Sequence, residues 1–147
     1  MDNFDLIGAL QEYADENNMH YLSGNDAYQN YEASQNTYDD GQLVLSADFD
    51  ASVSFSRGFA ISSIIYTGIL ALGRKFDEVV DTGSDLDETF YQKYQRRLKD
   101  LMTLLVTHIA AFACDNKLQV TNCQFRMDLN KFDTNIDFIA ASITFVQ

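Results

Sequence analysis

From Leu43 to Ser56 the chain alternates without interruption: Leu43, Leu45, Ala47, Phe49, Ala51, Val53 and Phe55 share one face, and Val44, Ser46, Asp48, Asp50, Ser52, Ser54 and Ser56 the other. Period two with one wet face predicts a half-buried antiparallel strand. From Phe59 to Leu72 both faces are apolar (Ile61, Ile64, Ile65, Tyr66, Ile69, Leu70, Leu72), which suits a central strand covered on both sides. A buried helix is the competing reading of such a run. Two further strands are predicted at Leu118–Leu129 and Asp137–Val146, joined by a turn over 130–135.

The period changes to three and four residues between Asp87 and Asp115, where Phe90, Tyr94, Leu98, Leu101, Leu105, Ile109 and Phe112 recur. That spacing predicts a long helix, with Ser84 or Asp85 as its cap. Past Met102 it is apolar almost all round, so burial on more than one side is expected. A shorter amphipathic helix is predicted over Asn3–Asn17, capped by Asp2 or Asn3 with Asp5 in its first turn. Met19–Leu22 reads as a strand. The polar, tyrosine-rich stretch 24–41 reads as a long loop or ragged edge hairpin, so that 19–42 as a whole is a long polar loop or edge hairpin that is expected to contact something. Residues 77–88 read as an acidic connector, and Gly73 and Gly83 as brackets of a loop. The order of elements predicts one α+β domain over 1–147: an antiparallel or mixed β-sheet packed by a long helix in the C-terminal half and a short N-terminal helix.

At 147 residues and 46% hydrophobic composition, the chain is long enough for one domain with its own core. Proline is absent, where average usage would give about seven, so no Pro-rich linker divides it. No apolar run has the length of a membrane span, and the N-terminus lacks a basic, apolar leader, so a protein made in the cytoplasm without membrane partners is expected. Charge is unevenly spread. Residues 1–56 hold eleven acidic side chains and no Lys or Arg, whereas 57–147 hold ten basic and eleven acidic, so almost all of the net −12 lies in the first 56 residues. Such a region repels phosphate backbones and argues against sequence-reading nucleic-acid binding. Asp39, Asp40, Asp48 and Asp50 are expected on an acidic surface.

Candidate chemistry is sparse. Asp48 and Asp50 are about 7 Å apart along one strand face, a spacing open to acid–base work or a cation, but solvation of the sheet face, or of an interface with basic groups, is the expected role. Asp133-x-Asn135-x-Asp137 matches the start of a calcium loop, but Phe138 replaces the turn glycine and Thr144 the bidentate glutamate, so a plain turn is expected. His108 falls among Leu104, Leu105, Val106 and Ile109 and is expected to be a hydrogen-bonded core histidine. Cys114 and Cys123 are too few for a disulfide scaffold or zinc site, and nothing around them has a catalytic signature. No phosphate-cradling glycine loop is present. The expectation is a protein that is not an enzyme and holds no cofactor or metal. Lys93, Arg96 and Arg97 form a basic stripe on the long helix, expected to face acidic groups either of a neighbouring copy or, equally, of its own domain, with Tyr28, Tyr31 and Tyr38 of the polar stretch as apolar contacts between copies.

The long helix Asp87–Asp115, the strand Leu118–Leu129, the turn Leu129-Asn-Lys-Phe-Asp-Thr-Asn-Ile-Asp137 and the closing strand Phe138–Val146 together resemble tail-terminator and head–tail connector (neck) proteins of tailed bacteriophages, most of all the style of crAss-like phages of the Bacteroidota. The resemblance covers about the last 90 residues and carries no catalytic motif. It implies a virion protein forming a homo-oligomeric ring with itself and meeting other neck, tail or portal proteins, with DNA passing through as cargo. The alternative is a small acidic binding or inhibitor protein that occupies a basic partner.

Overall fold

The computed structural model describes residues 5–34, 38–39, 41–75, 89–131 and 136–147, leaving aside the side chains of Asp26, Ala27, Tyr31, Ser34, Phe90, Lys93, Arg96, Arg97 and 128–131. The elements run α1 (Leu6–Glu16), β1 (His20–Ser23), α2 (Asp26–Ser34), β2 (Leu43–Phe55), β3 (Ile61–Lys75), α3 (Phe90–Lys93), a π-helical turn (Tyr94–Leu98), α4 (Lys99–Asp115), β4 (Gln119–Lys131) and β5 (Ile136–Val146). The five strands form one sheet in the order β1-β2-β3-β5-β4. Only β1 is parallel to its neighbour; the other pairings are antiparallel. The chain is therefore an α+β fold on a mixed sheet.

Helices α1 and α4 lie on one face. The i, i+4, i+8 residues Leu6, Leu10 and Ala14 of α1 are buried, as are Leu101, Leu105, Ile109 and Phe112 of α4 and Leu98 of the π turn. They pack on Leu45, Ala47, Leu70, Leu72, Ile139, Ala141, Ile143 and Phe145 of the sheet. Phe112 meets Phe145 and Tyr13 edge-on, at ring separations of 5.7 and 5.6 Å. Both helices stop the same way in a chain with no proline and few glycines. Asn18 and Lys117 take the left-handed conformation (φ 56 and 55). The following amides of Met19 and Leu118 then bond back to Ala14 and Ala113 at 2.8 Å while their side chains enter the core.

The structure corrects several expectations. The α1 cap is Asp5, whose Oδ1 accepts from the Gly8 amide at 3.0 Å, not Asp2 or Asn3. The stretch read as a loop or edge hairpin contains α2. Asn25 caps it by accepting from the Tyr28 amide, and buried Gln29 fastens it to the sheet. The Gln29 amide donates to the carbonyls of Gly24 and Ala47 and accepts from Ser46 Oγ. Helix α2 covers one end of the opposite sheet face, over Leu22, Val44, Ala71, Phe138 and Ala140, and Tyr38 joins that cluster. Gly73 lies inside β3, not at a loop: a Cβ there would stand 2.6 Å from the Phe138 ring. β3 is covered on both faces only from Leu70 to Gly73; Ile69 is exposed, as is Phe59, which sits in a turn before the strand. The long helix is interrupted by the π turn, and α4 is buried along one side only. Its Thr103 and Thr107 hydroxyls bond back to Lys99 and Thr103 carbonyls on the outer side, beside exposed Val106, Ala110 and Ala111. The predicted cap at Ser84 or Asp85, the 77–88 connector and residues 132–135 of the turn lie outside the described residues.

Candidate functional site: the bare end of the sheet

The exposed apolar surface gathers where β2 and β3 outrun the rest of the sheet. β1 leaves β2 at Ala47, and the last β5 partner of β3 is Ile65, opposite Val146. Beyond these points β2 and β3 pair, among the described residues, with each other, from Val53↔Ile64 to Phe55↔Ile61, apart from the Gln147 amide, which bonds to Ile64 O at 3.0 Å. The ribbon closes through Ser56-Arg57-Gly58-Phe59-Ala60. The Phe59 amide bonds to Ser56 O at 3.1 Å, and the Ser56 amide to Ala60 O at 2.7 Å. Gly58 sits third in that turn at φ 94, where a residue without Cβ is favoured. Phe59 then also takes positive φ, at 68, an uncommon conformation for a bulky side chain. Phe59 is 90% exposed, Phe55 64% and Val53 42%, and Arg57 between the two phenylalanines is exposed as well.

Two other surfaces complete the picture. On the helical face, α1 presents exposed Glu12, Asp15 and Glu16 and no base, and α4 runs beside it with Val106 47% exposed. Tyr13 OH and His108 Nδ1, 2.6 Å apart, join the two helices. Burial holds the His108 pKa below its ordinary value and pushes that of Tyr13 up, the nearby charge of Asp115 adding to the latter. On the opposite sheet face, beyond α2, a shallow groove of about 410 Å³ is lined by Thr67, Ile69, Asn122, Gln124, Ser142 and Thr144. Asp48 and Asp50 point to this same face: the register sets them opposite Ile69 and Thr67. β4 makes the far edge, broken by a bulge between Thr121 and Gln124, where Asn122 takes φ 52.

The residues singled out from sequence are scattered over these surfaces. Asp39, Asp48 and Asp50 are exposed, and Asp40 lies outside the described residues. Tyr28 is exposed on α2, but Tyr38 is taken into the chain's own second core cluster, edge-on to His20 at 4.9 Å, so it is not offered to a neighbour. Tyr31 lies on α2, Lys93 on α3 and Arg96 and Arg97 in the π turn, with side chains outside the description. His108 is the hydrogen-bonded histidine expected, though only half-buried. Cys114 and Cys123 are both exposed; partial burial pushes the Cys123 thiol up, away from a reactive thiolate. No group of three His, Cys, Asp or Glu among the described residues is placed to hold a metal. Asp137, third oxygen of the calcium-like pattern, is buried in β5 opposite Arg74.

Sequence reading missed Phe55, Arg57 and Phe59 as a unit. The signal was present: a glycine between two strong strands, flanked by aromatics in a place that turns normally fill with polar residues. The fold and its exposed surfaces define a mixed-sheet α+β protein with an uncovered hairpin. Compared with protein-family models and with curated protein sequences, the chain matches none. No helix among the described residues is long and apolar enough to cross a membrane.

Proposed function

We propose that this protein is a non-catalytic structural subunit of a virion, forming a homo-oligomeric ring at the neck or tail end of a tailed phage through which DNA passes. The observation that carries the assembly part is the pair of unlike exposed surfaces: an apolar, acid-free hairpin at one end, and an acidic helical layer with an apolar outer stripe elsewhere. Head-to-tail association needs two different complementary patches on each subunit, and their repetition closes a ring. The placement at a phage neck or tail end comes from the resemblance of the last 90 residues. The excess acid fits that placement, because a negatively charged passage does not hold the DNA backbone. In this reading Lys93, on α3, and Arg96 and Arg97, in the π turn, serve neighbouring copies or other neck and tail proteins.

Sedimentation velocity and electron microscopy of the purified chain, with immunodetection in purified particles, test the reading. Rings and a particle-bound chain are the expected result. A chain that stays monomeric at every concentration and is missing from particles overturns it, and capture of a basic protein by that monomer would favour the acidic inhibitor.

A further inference from the structure

A two-stranded ribbon that outruns its sheet is marginal in water, and its exposed positions are ordinarily polar. This one is anchored at its base, where Ile64 is buried in the core and its carbonyl accepts from the Gln147 amide at 3.0 Å. Here the ribbon from Val53 to Ile64 carries Phe55 and Phe59 into solvent, the second held at a φ that glycine would adopt without strain. The surrounding charge is equally distinctive. Between Asp50 and Asp77 the chain has no acid and three bases, Arg57, Arg74 and Lys75, in a protein of net −12. Two copies approaching each other meet like charge over most of their surface, and this stretch is where that repulsion is lowest.

We propose that the hairpin tip is an assembly arm: Phe55, Arg57 and Phe59 of one copy dock on the α1/α4 surface of a second copy. This deepens the ring reading and rests on it. Tip-to-tip pairing would set Arg57 against Arg57. The α1/α4 surface offers what the tip lacks: exposed Glu12 and Glu16 for the guanidinium, and exposed Ala110 and Ala111, with Val106 further round α4, for the rings. The Tyr13–His108 hydrogen bond joins the two helices that form this surface. Since donor and acceptor patches differ, each subunit gives one arm and receives another, so the contact propagates around a ring. Two phenylalanines bury about 150–250 Å² each, short of the roughly 800 Å² per partner of a standard interface. A single arm therefore holds weakly, and closure of the ring, where every subunit is held twice, gives assembly a sharp concentration threshold.

The experiment is sedimentation velocity over a concentration and salt series on the full chain, its F55S/F59S and R57E variants, and an equimolar mixture of R57E with an E12K/E16K chain. The wild type should assemble. F55S/F59S should raise the threshold concentration by at least about tenfold with unchanged circular dichroism. R57E should assemble less readily, most visibly at low salt, and the mixture should recover part of the loss. If the wild type forms rings and both variants match its threshold, the arm is wrong while the ring reading stands; if the wild type is monomeric throughout, both fall. Should F55S/F59S fail to fold, R57E decides alone, because Arg57 lies on an exposed turn outside the core, and an unchanged threshold then overturns the arm.

Discussion

Strands β2 and β3 each lead two lives. At one end Leu45 and Ala47 face Leu72 and Leu70 under two helices, and Val44 and Ser46 lie beneath α2 on the other side. Eight residues further along the same strand and face as Leu45, Val53 stands in solvent, and Phe55 is more exposed still. The alternation is the same at both ends. What differs is the supply of partners. α1, α2, β1 and α4 all crowd the first end, whereas at the second, among the described residues, only the β3 side keeps cover, with Ile64 buried in the core and Ile61 packed against it, and the β2 residues Val53 and Phe55 opposite them stay exposed. Period two reports the pleat of a strand, and cover is decided by elements far away in sequence.

Substitutions can break or sharpen this contrast. The largest effect is expected at the covered end, where Leu105→Ala removes a fully buried side chain from α4 and should destabilise by about 2–5 kcal/mol in urea unfolding. Gly73→Ala should follow at about 1–3 kcal/mol, since the new methyl group meets the Phe138 ring and the Ile136 side chain within 3 Å. If Gly73→Ala proved neutral, the packing of α2 against the sheet would be looser than described.

A smaller, pH-dependent effect belongs to the α1/α4 seam. Burial lowers the His108 pKa in the folded chain below its ordinary 6.5, so the unfolded chain takes up that proton first. Its share of stability is present above about pH 6.5 and is lost as pH falls through the window between the unfolded and the lower folded value. Thermal melts of wild type and His108→Gln at pH 7.5 and pH 5.0 should show the wild type losing more on acidification. An equal loss in both would remove His108 from the account. Smallest of all, Val53→Ser at the bare end should change monomer stability by no more than about 0.5 kcal/mol. A loss of 2 kcal/mol or more would mean that Val53 is covered after all.

The sheet and its long helix were legible because their apolar positions recur over many residues: Leu98 to Phe112 at helical spacing, Leu43 to Phe55 at strand spacing. Helix α2 was not, because its attachment depends on few groups. Among its described side chains Ala33 is the buried apolar one, and a buried amide, Gln29, adds grip through partners on β2 seventeen and eighteen positions away. A glutamine in a polar run gives no sign of that role. The one-sided burial of α4 was hidden for the opposite reason. Val106, Ala110 and Ala111 are apolar, yet composition cannot distinguish a core contact from a face left open. The hairpin tip combined both difficulties, with Phe59 counted into the next strand when the chain was in fact turning at Gly58.

The strand order also governs how the protein can be made. β5, made after the other four strands, is not an edge but lies between β3 and β4. Until residues 136–146 leave the ribosome, β3 lacks its inner neighbour, β4 has no partner, and α4 has only part of the floor on which Phe112 rests. The β2–β3 hairpin can form early as a local unit, but the two halves of the sheet are joined by a single late event. A nascent chain stalled short of Ile136 should therefore be cut by protease throughout the part that follows β3, and emergence of Ile136–Val146 should convert it to the resistant form in one step.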